Sequence, residues 1–196
     1  MIKASEYVRE QLWKKSLKFQ TATYRSAGAC VEDEGLKSVL DLGCGGTAKL
    51  FEFIYPWTKD ITGVDVGIVI QGVKDLPVGK WISWDLNDSS LDLGRVYDLI
   101  ISADCIEHLD NYEALLEIAR RHMNIDSFFV ISTPDCSDNI KQENIDHKQR
   151  WTFEQFGGIL EKNGFLIVEK CKVPERDAKF RYNSSIFVCK LKPDVT

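Results

Sequence analysis

Asp104, Glu107 and His108 are spaced i, i+3 and i+4, and a second histidine, His147, follows in a polar stretch. On one helical turn the first three would share a face. A loop folding back would bring His147 over the same spot, giving two carboxylates and two imidazoles in one place. That donor set suits a divalent cation such as magnesium, manganese or zinc. A cation there would hold a substrate hydroxyl and lower its pKa. Without a metal, Glu107, His108 and His147 remain candidates for proton transfer, because an imidazole exchanges its proton near neutrality. The structural alternatives are that His108 caps or orients a loop and that His147 sits on the surface. His122, at the end of an apolar-striped segment, reads as a helix-terminus residue.

A second set of residues lies in the first third of the chain. Ser38-Val-Leu-Asp-Leu-Gly-Cys-Gly-Gly-Thr47 is an apolar run carrying an acid, then a glycine turn. Glycines leave the backbone bare, so a small ligand can approach a strand that ends there. Ile61–Asp65 is another apolar run ending in an acid, and Trp81–Trp84 is followed by Asp85. In form, Gly43-x-Gly45-x-x-Ala48 with a later acid satisfies the dinucleotide fingerprint. Three features point away from a dinucleotide. Asp41 lies inside the strand, where that fold usually has an apolar residue. Asp85 adds a further acid along the same rim, and the chain is expected to finish in a strand pair rather than a second substrate domain.

These groups need a scaffold. Strand candidates at Ser38–Leu42, Ile61–Asp65, Trp81–Trp84, Tyr97–Ser102 and Phe128–Ser132 alternate with helical patterns. Tyr112, Leu115, Leu116, Ala119 and Met123 form one apolar stripe. Phe153, Phe156, Ile159 and Leu160 form another, opened by a Thr152-x-x-Gln155 capping box and closed by Gly164. Trp151 just before it reads as a staple against Phe156. This alternation predicts a parallel sheet with helices on both faces, and its chemistry lies beyond the carboxyl ends of the strands. Phe165–Lys170 and Ser185–Lys190 break the rhythm and predict an antiparallel edge hairpin joined by a long loop over 171–184. Val8, Leu12, Trp13 and Leu17 mark a helix over about Ser5–Leu17, made basic by Lys3, Arg9, Lys14, Lys15 and Lys18.

The 196 residues are 44% hydrophobic and carry a net charge of -5. That size supports one domain with a full core. The acidic balance gives no electrostatic footprint for nucleic acid or an anionic membrane. No apolar stretch approaches membrane-spanning length, no signal-type apolar core opens the chain, and the six scattered cysteines include no Cys-x-x-Cys pair. A cytoplasmic protein with reduced thiols is expected.

Val39-Leu-Asp-Leu-Gly-Cys-Gly45, Gly63-Val-Asp65, Trp84-Asp-Leu86, Tyr97-Asp-Leu-Ile-Ile-Ser102 and the terminal hairpin together resemble the class I S-adenosylmethionine-dependent methyltransferases. The resemblance runs from about Leu36 to Lys190. It implies an α/β fold, a Rossmann-like seven-stranded sheet of order 3-2-1-4-5-7-6 with strand 7 antiparallel and helices on both faces. It also implies a helical cap segment over residues 1–35 and a methyltransferase domain over 36–196. S-adenosyl-L-methionine would be bound by Asp41, Gly43, Cys44, Gly45, Asp65, Val66, Asp85, Leu86 and Ser102. The Gly43–Gly45 turn would face the methionine part, with Asp41 holding its amino end through solvent or the loop. Asp65 would accept hydrogen bonds from both ribose hydroxyls, and Asp85 from the adenine amino group. Thr47 departs from the pattern, since many members carry glycine there.

Asp104-x-x-Glu107-His108 with the distal His147 resembles small-RNA 3′-terminal 2′-O-methyltransferases and, in its first part, ubiquinone-pathway O-methyltransferases. Those families have Glu where this chain has Asp104. Transfer to oxygen is expected, because Ser102-Ala-Asp-Cys105 stands in place of the Asn-Pro-Pro-Tyr-like tetrapeptide that marks amide and base-nitrogen methylation. The expected acceptor is a small molecule or saccharide. The alternatives are an RNA 2′-hydroxyl reached with a metal, and a catalytically silent cofactor-binding subunit of a partner.

Overall fold

A computed structural model describes residues 20–137, 146–176 and 181–193. The basic helix expected over residues 5–17 lies outside them. The described chain opens on helix α1 (Thr21–Glu34), which the pattern above omits although Tyr24, Ala27, Gly28 and Val31 stand at helical spacing and are buried. Seven strands follow: β1 (Ser38–Leu42), β2 (Asp60–Asp65), β3 (Lys80–Ser83), β4 (Leu99–Ala103), β5 (Phe128–Pro134), β6 (Phe165–Arg176) and β7 (Arg181–Leu191). Between them lie α2 (Gly67–Val73), α3 (Tyr112–Arg121) and α4 (Phe153–Lys162), with a π-helical turn at Leu50–Ile54 and a 3-10 turn at Ile106–His108.

The sheet order is β3-β2-β1-β4-β5-β7-β6, as expected. Strands β1 to β5 are parallel, and β7 runs antiparallel to both β5 and β6. Its central strands are buried on both faces, which explains their near-continuous apolar runs. Strand alternation sends Val39, Leu99 and Ile101 toward α1 and the π-helical turn, where Tyr24, Ala27, Val31, Leu50 and Ile54 pack. Leu40, Ile100, Phe129 and Ile131 point the other way, onto Leu115, Leu116, Phe156 and Leu160 of α3 and α4. At Gly28 the first layer is so close that a Cβ would stand 2.6 Å from the Phe53 carbonyl oxygen.

The capping box of α4 forms as expected, and Trp151 stacks on Phe156 with ring centroids 5.2 Å apart, closing the staple. The edge hairpin differs from expectation. Segment 171–184 is mostly strand, and the β6–β7 register runs from Phe165↔Leu191 to Arg176↔Arg181 with one bulge between Ile167 and Glu169. Pro174 argues for a loop only if its strand is internal. On β6, the outermost strand, its missing N–H can face away from the sheet. Strand β4 begins at Leu99 rather than Tyr97, whose hydroxyl bonds Thr62 Oγ1 at 3.0 Å.

His122 does cap α3, but its ring does more. The Leu93 backbone N–H donates to Nε2 at 2.9 Å, so Nδ1 carries the ring proton and donates to the Ile118 carbonyl at 2.7 Å. The imidazole thus ties the loop ahead of β4 to the end of α3. His122→Ala leaves the part-buried Leu93 N–H without this acceptor and is expected to cost about 1–2 kcal/mol, measured by urea denaturation. All six cysteines are free, and among the described residues no helix is long and apolar enough to cross a membrane.

Candidate active site

The carboxyl ends of β1 to β5 form one rim, and the strand order reverses between β1 and β4, where open sheets of this kind leave a crevice. The glycine turn leaves β1 at that point. Gly43 has φ 85°, and a Cβ there would stand 2.4 Å from Cys105 Sγ, so only glycine lets the turn pass the segment after β4. Gly43 and Cys44 donate their N–H groups to the Val64 carbonyl. Thr47 adopts φ 63°, a left-handed conformation that costs a β-branched residue and suits glycine.

Asp65, at the end of β2, braces the same turn. Its Oδ2 accepts from Gly45 N at 2.9 Å and its Oδ1 from Val66 N at 2.7 Å. Each oxygen keeps a further lone pair for a ligand hydroxyl. Val66 beside it is exposed, while Leu86 and Ser102 are buried. Asp85 is exposed and its Oδ1 accepts from both the backbone and the side-chain amide of Asn87. Asp41 is fully buried and accepts from the Tyr24 hydroxyl at 2.7 Å. Its other oxygen has no hydrogen-bond partner.

The second group of predicted residues comes together only in part. Glu107, His108 and His147 each offer a ligand atom, and these atoms lie within 4.8 Å of one another. Asp104 does not share a helical face with them, because the 3-10 turn starts only at Ile106 and Asp104 itself has φ 44°. That left-handed turn points the Asp104 carboxylate at Ser132, whose Oγ donates to it at 2.7 Å. It still lies near enough to Glu107 to act on it electrostatically.

Glu107 is buried, and burial first, then the Asp104 charge, pushes its pKa well above the usual carboxylate range. Thr133 Oγ1 donates to its Oε2 at 3.2 Å, and its Oε1 has no hydrogen-bond partner. His108 donates from Nδ1 to the Asp146 carbonyl at 3.2 Å, which turns the Nε2 lone pair toward Glu107 Oε1, 3.9 Å away. The His147 ring lies edge-on to His108 with centroids 4.8 Å apart. Its pKa is lowered, by burial first and then by His108 and Arg150, so it is a neutral base at neutral pH.

Long-range bonding delivers His147 to this spot. Asp135 bridges to Trp151, Cys136 N donates to the Trp151 carbonyl at 2.9 Å, and Asp135 Oδ1 accepts from Phe153 N at the start of α4. The loop after β5 therefore returns to the rim it left. Lys148 and Gln149 then donate their N–H groups to the Glu107 carbonyl at 2.8 and 2.9 Å, clamping the segment beside the 3-10 turn. Thr133, Ser132 and Tyr24 hold the predicted acids, and none was singled out for that part. Helical spacing could have found α1, but no sequence signal pairs Tyr24 with Asp41.

Residues 7–176 match a family described as methyltransferase domain. None of the curated proteins compared matches the chain by sequence. Among solved structures, an S-adenosylmethionine-dependent methyltransferase from Clostridium acetobutylicum superposes with a TM-score of 0.69 at 16% identity, over 95% of this chain and 97% of the other. The 1,6-didemethyltoxoflavin-N1-methyltransferase of Burkholderia thailandensis, bound to its substrate and S-adenosylhomocysteine, gives 0.69 at 20% identity, over 88% and 79%. The methyltransferase domain of bacterial CtHen1 gives 0.65 at 23% identity, over 86% and 97%. These likenesses establish a shared fold.

Proposed function

The chain belongs to the class I S-adenosylmethionine-dependent methyltransferases, and from that premise we propose that it methylates a hydroxyl oxygen of a small molecule or saccharide. The observation that carries this reading is the convergence of Glu107, His108 and His147 beside the glycine turn's rim. A hydroxyl is a weak nucleophile until a neighbouring base takes its proton, and this cluster supplies such a base. In the reaction the acceptor oxygen forms its bond to the methyl carbon as the carbon–sulfur bond breaks in line. The sulfur keeps the bonding pair and the sulfonium charge is neutralised. Neutral His147 takes the hydroxyl proton, while His108, fixed by Asp146, and Glu107 orient the acceptor.

On the cofactor side, Asp65 would accept from the ribose hydroxyls and Asp85 from the adenine amino group. The backbone of Gly43, Cys44 and Gly45 would hold the methionine part, with Val66, Leu86 and Ser102 as further cofactor-binding residues. Alignment supplies much of the rate, because methyl transfer needs little covalent help.

The donor set also fits a divalent cation. Glu107 Oε1 is a buried oxygen with no hydrogen-bond partner, and His108 Nε2 and the neutral His147 ring complete a mixed oxygen and nitrogen set. These three residues would hold it. A cation bound there supplies a lowered hydroxyl pKa at neutral pH. Manganese(II) titrated into chelator-treated protein and followed by electron paramagnetic resonance is expected to bind one ion per chain. Methyl transfer to a panel of sugar and small-molecule hydroxyls should fall in chelator and return with manganese. Full activity in chelator would remove the ion and leave His147 as the base; transfer only to amines would sink the oxygen assignment.

A second reading rests on the same residues. The order Asp104, Glu107, His108 and His147 resembles the set of the RNA 2′-O-methyltransferases, and an RNA 3′ end should then be methylated in low salt.

A further inference from the structure

We propose that Tyr24 is a positioning residue of the cofactor site, holding one oxygen of Asp41 so that the other is presented to the cofactor's amino group. The inference rests on the assignment of Asp41 to that end of S-adenosylmethionine. Alternation along β1 puts Val39 and Asp41 on the face covered by α1, and Tyr24 occupies the first turn of that helix. The phenol is almost wholly buried, and its hydroxyl donates to Asp41 Oδ2 at 2.7 Å. A buried carboxylate normally has both oxygens bonded. Here Oδ1 has no protein partner, and Asp41 stands two residues before the glycine turn that begins at Gly43. An orphaned acceptor of that kind is what a cationic ligand head would satisfy.

The groups around Asp41 set how binding responds to pH. Tyr24 faces it from α1, Lys49 from the segment after the glycine turn, Asp65 from β2, and the Cys44 and Cys105 thiols from the turn and from the chain after β4. Burial pushes the tyrosine and both thiols up, so all three stay neutral and Tyr24 remains a donor. Lys49, which also lies over the Tyr24 ring at 5.5 Å, favours the ionised carboxylate, and Asp65 opposes it. Burial dominates and brings Asp41 to about 7. Protonated Asp41 cannot pair with an ammonium. Binding must therefore release a proton below that pH, and affinity should rise as pH climbs from about 6 to 8. The Tyr24 bond lowers this midpoint, because a donor to the carboxylate favours its charged form.

Calorimetry with S-adenosylhomocysteine, at pH 6 to 8.5 in two buffers of different ionisation heat, tests the inference. Wild-type protein is expected to bind with proton release near pH 6.5. Tyr24→Phe, which keeps the ring, should bind about 5- to 10-fold more weakly at pH 7, shift the affinity midpoint up by about one unit, and recover most of the loss at pH 8.5. A purely packing role would lower the melting temperature without moving that midpoint. An unchanged Tyr24→Phe midpoint overturns the inference. Asp41→Asn supplies the second arm, for which the linked proton should vanish; if it persists, the inference also fails. Absence of S-adenosylhomocysteine binding by wild-type protein at every pH would instead overturn the Asp41 assignment on which the inference stands.

Discussion

Glu107→Gln is expected to abolish manganese(II) binding and to lower kcat for hydroxyl methylation by about 10²- to 10³-fold. Its affinity for S-adenosylhomocysteine should stay within about threefold of wild type, by isothermal calorimetry. The substitution keeps the size of the side chain and its acceptor toward Thr133 Oγ1, so the β5 contact survives. What it removes is the negative charge that the Oε1 position would offer to a cation or to the acceptor it orients. Burial raises the pKa of Glu107, and this gives the effect its direction. Without a cation, burial and the Asp104 charge favour the protonated carboxyl. A bound divalent ion would reverse that preference, because ligation favours the ionised carboxylate. Retention of full activity by this variant would reduce Glu107 to a structural prop and remove its role in orienting the acceptor.

Asp65→Ala should weaken S-adenosylhomocysteine binding about 100-fold, close to 2.7 kcal/mol, measured by the same calorimetry. Two effects combine. The ribose hydroxyls lose a charged acceptor, and hydrogen bonds to charged groups contribute roughly 1.5–3 kcal/mol. The turn also loses its brace, since Gly45 N and Val66 N are both held by this one carboxylate. The variant should fold, because Asp65 is only partly buried at a strand end. Nicotinamide dinucleotide serves as the control ligand, and binding of it in place of S-adenosylhomocysteine would reopen the dinucleotide reading of the glycine turn. Unchanged S-adenosylhomocysteine affinity in Asp65→Ala would remove the ribose assignment.

Much of this architecture was readable in the chain. Ser38–Leu42 and Phe128–Ser132 are apolar runs because their strands are buried on both faces, and that burial leaves a plain mark on residue type. The Thr152–Gln155 box and the Trp151 staple are local and follow from spacing. Helix α1 was missed although its spacing was available in Tyr24, Ala27, Gly28 and Val31. The strand extensions within 171–184 leave no helical period to read, and they form because β6 and β7 pair with each other as far as Arg176↔Arg181.

The sequence by itself determined the alternation of strands and helices, the glycine turn and the acids in or just after the first three strands, because each depends on residue type at short separation. Asp104, Glu107 and His108 also looked like one unit from spacing. Only the tertiary structure separated them, since the left-handed φ of Asp104 and its bond to Ser132 come from strand β5, distant in sequence. His147 reached Glu107 through the Asp135–Trp151 bridge and through Lys148 and Gln149 on the Glu107 carbonyl, the latter joining segments about forty residues apart. The Tyr24–Asp41 bond was likewise invisible, because it needs α1 to lie across β1. Residue type specifies what a group can do, whereas the long-range closure of helices and loops onto a sheet decides which groups meet.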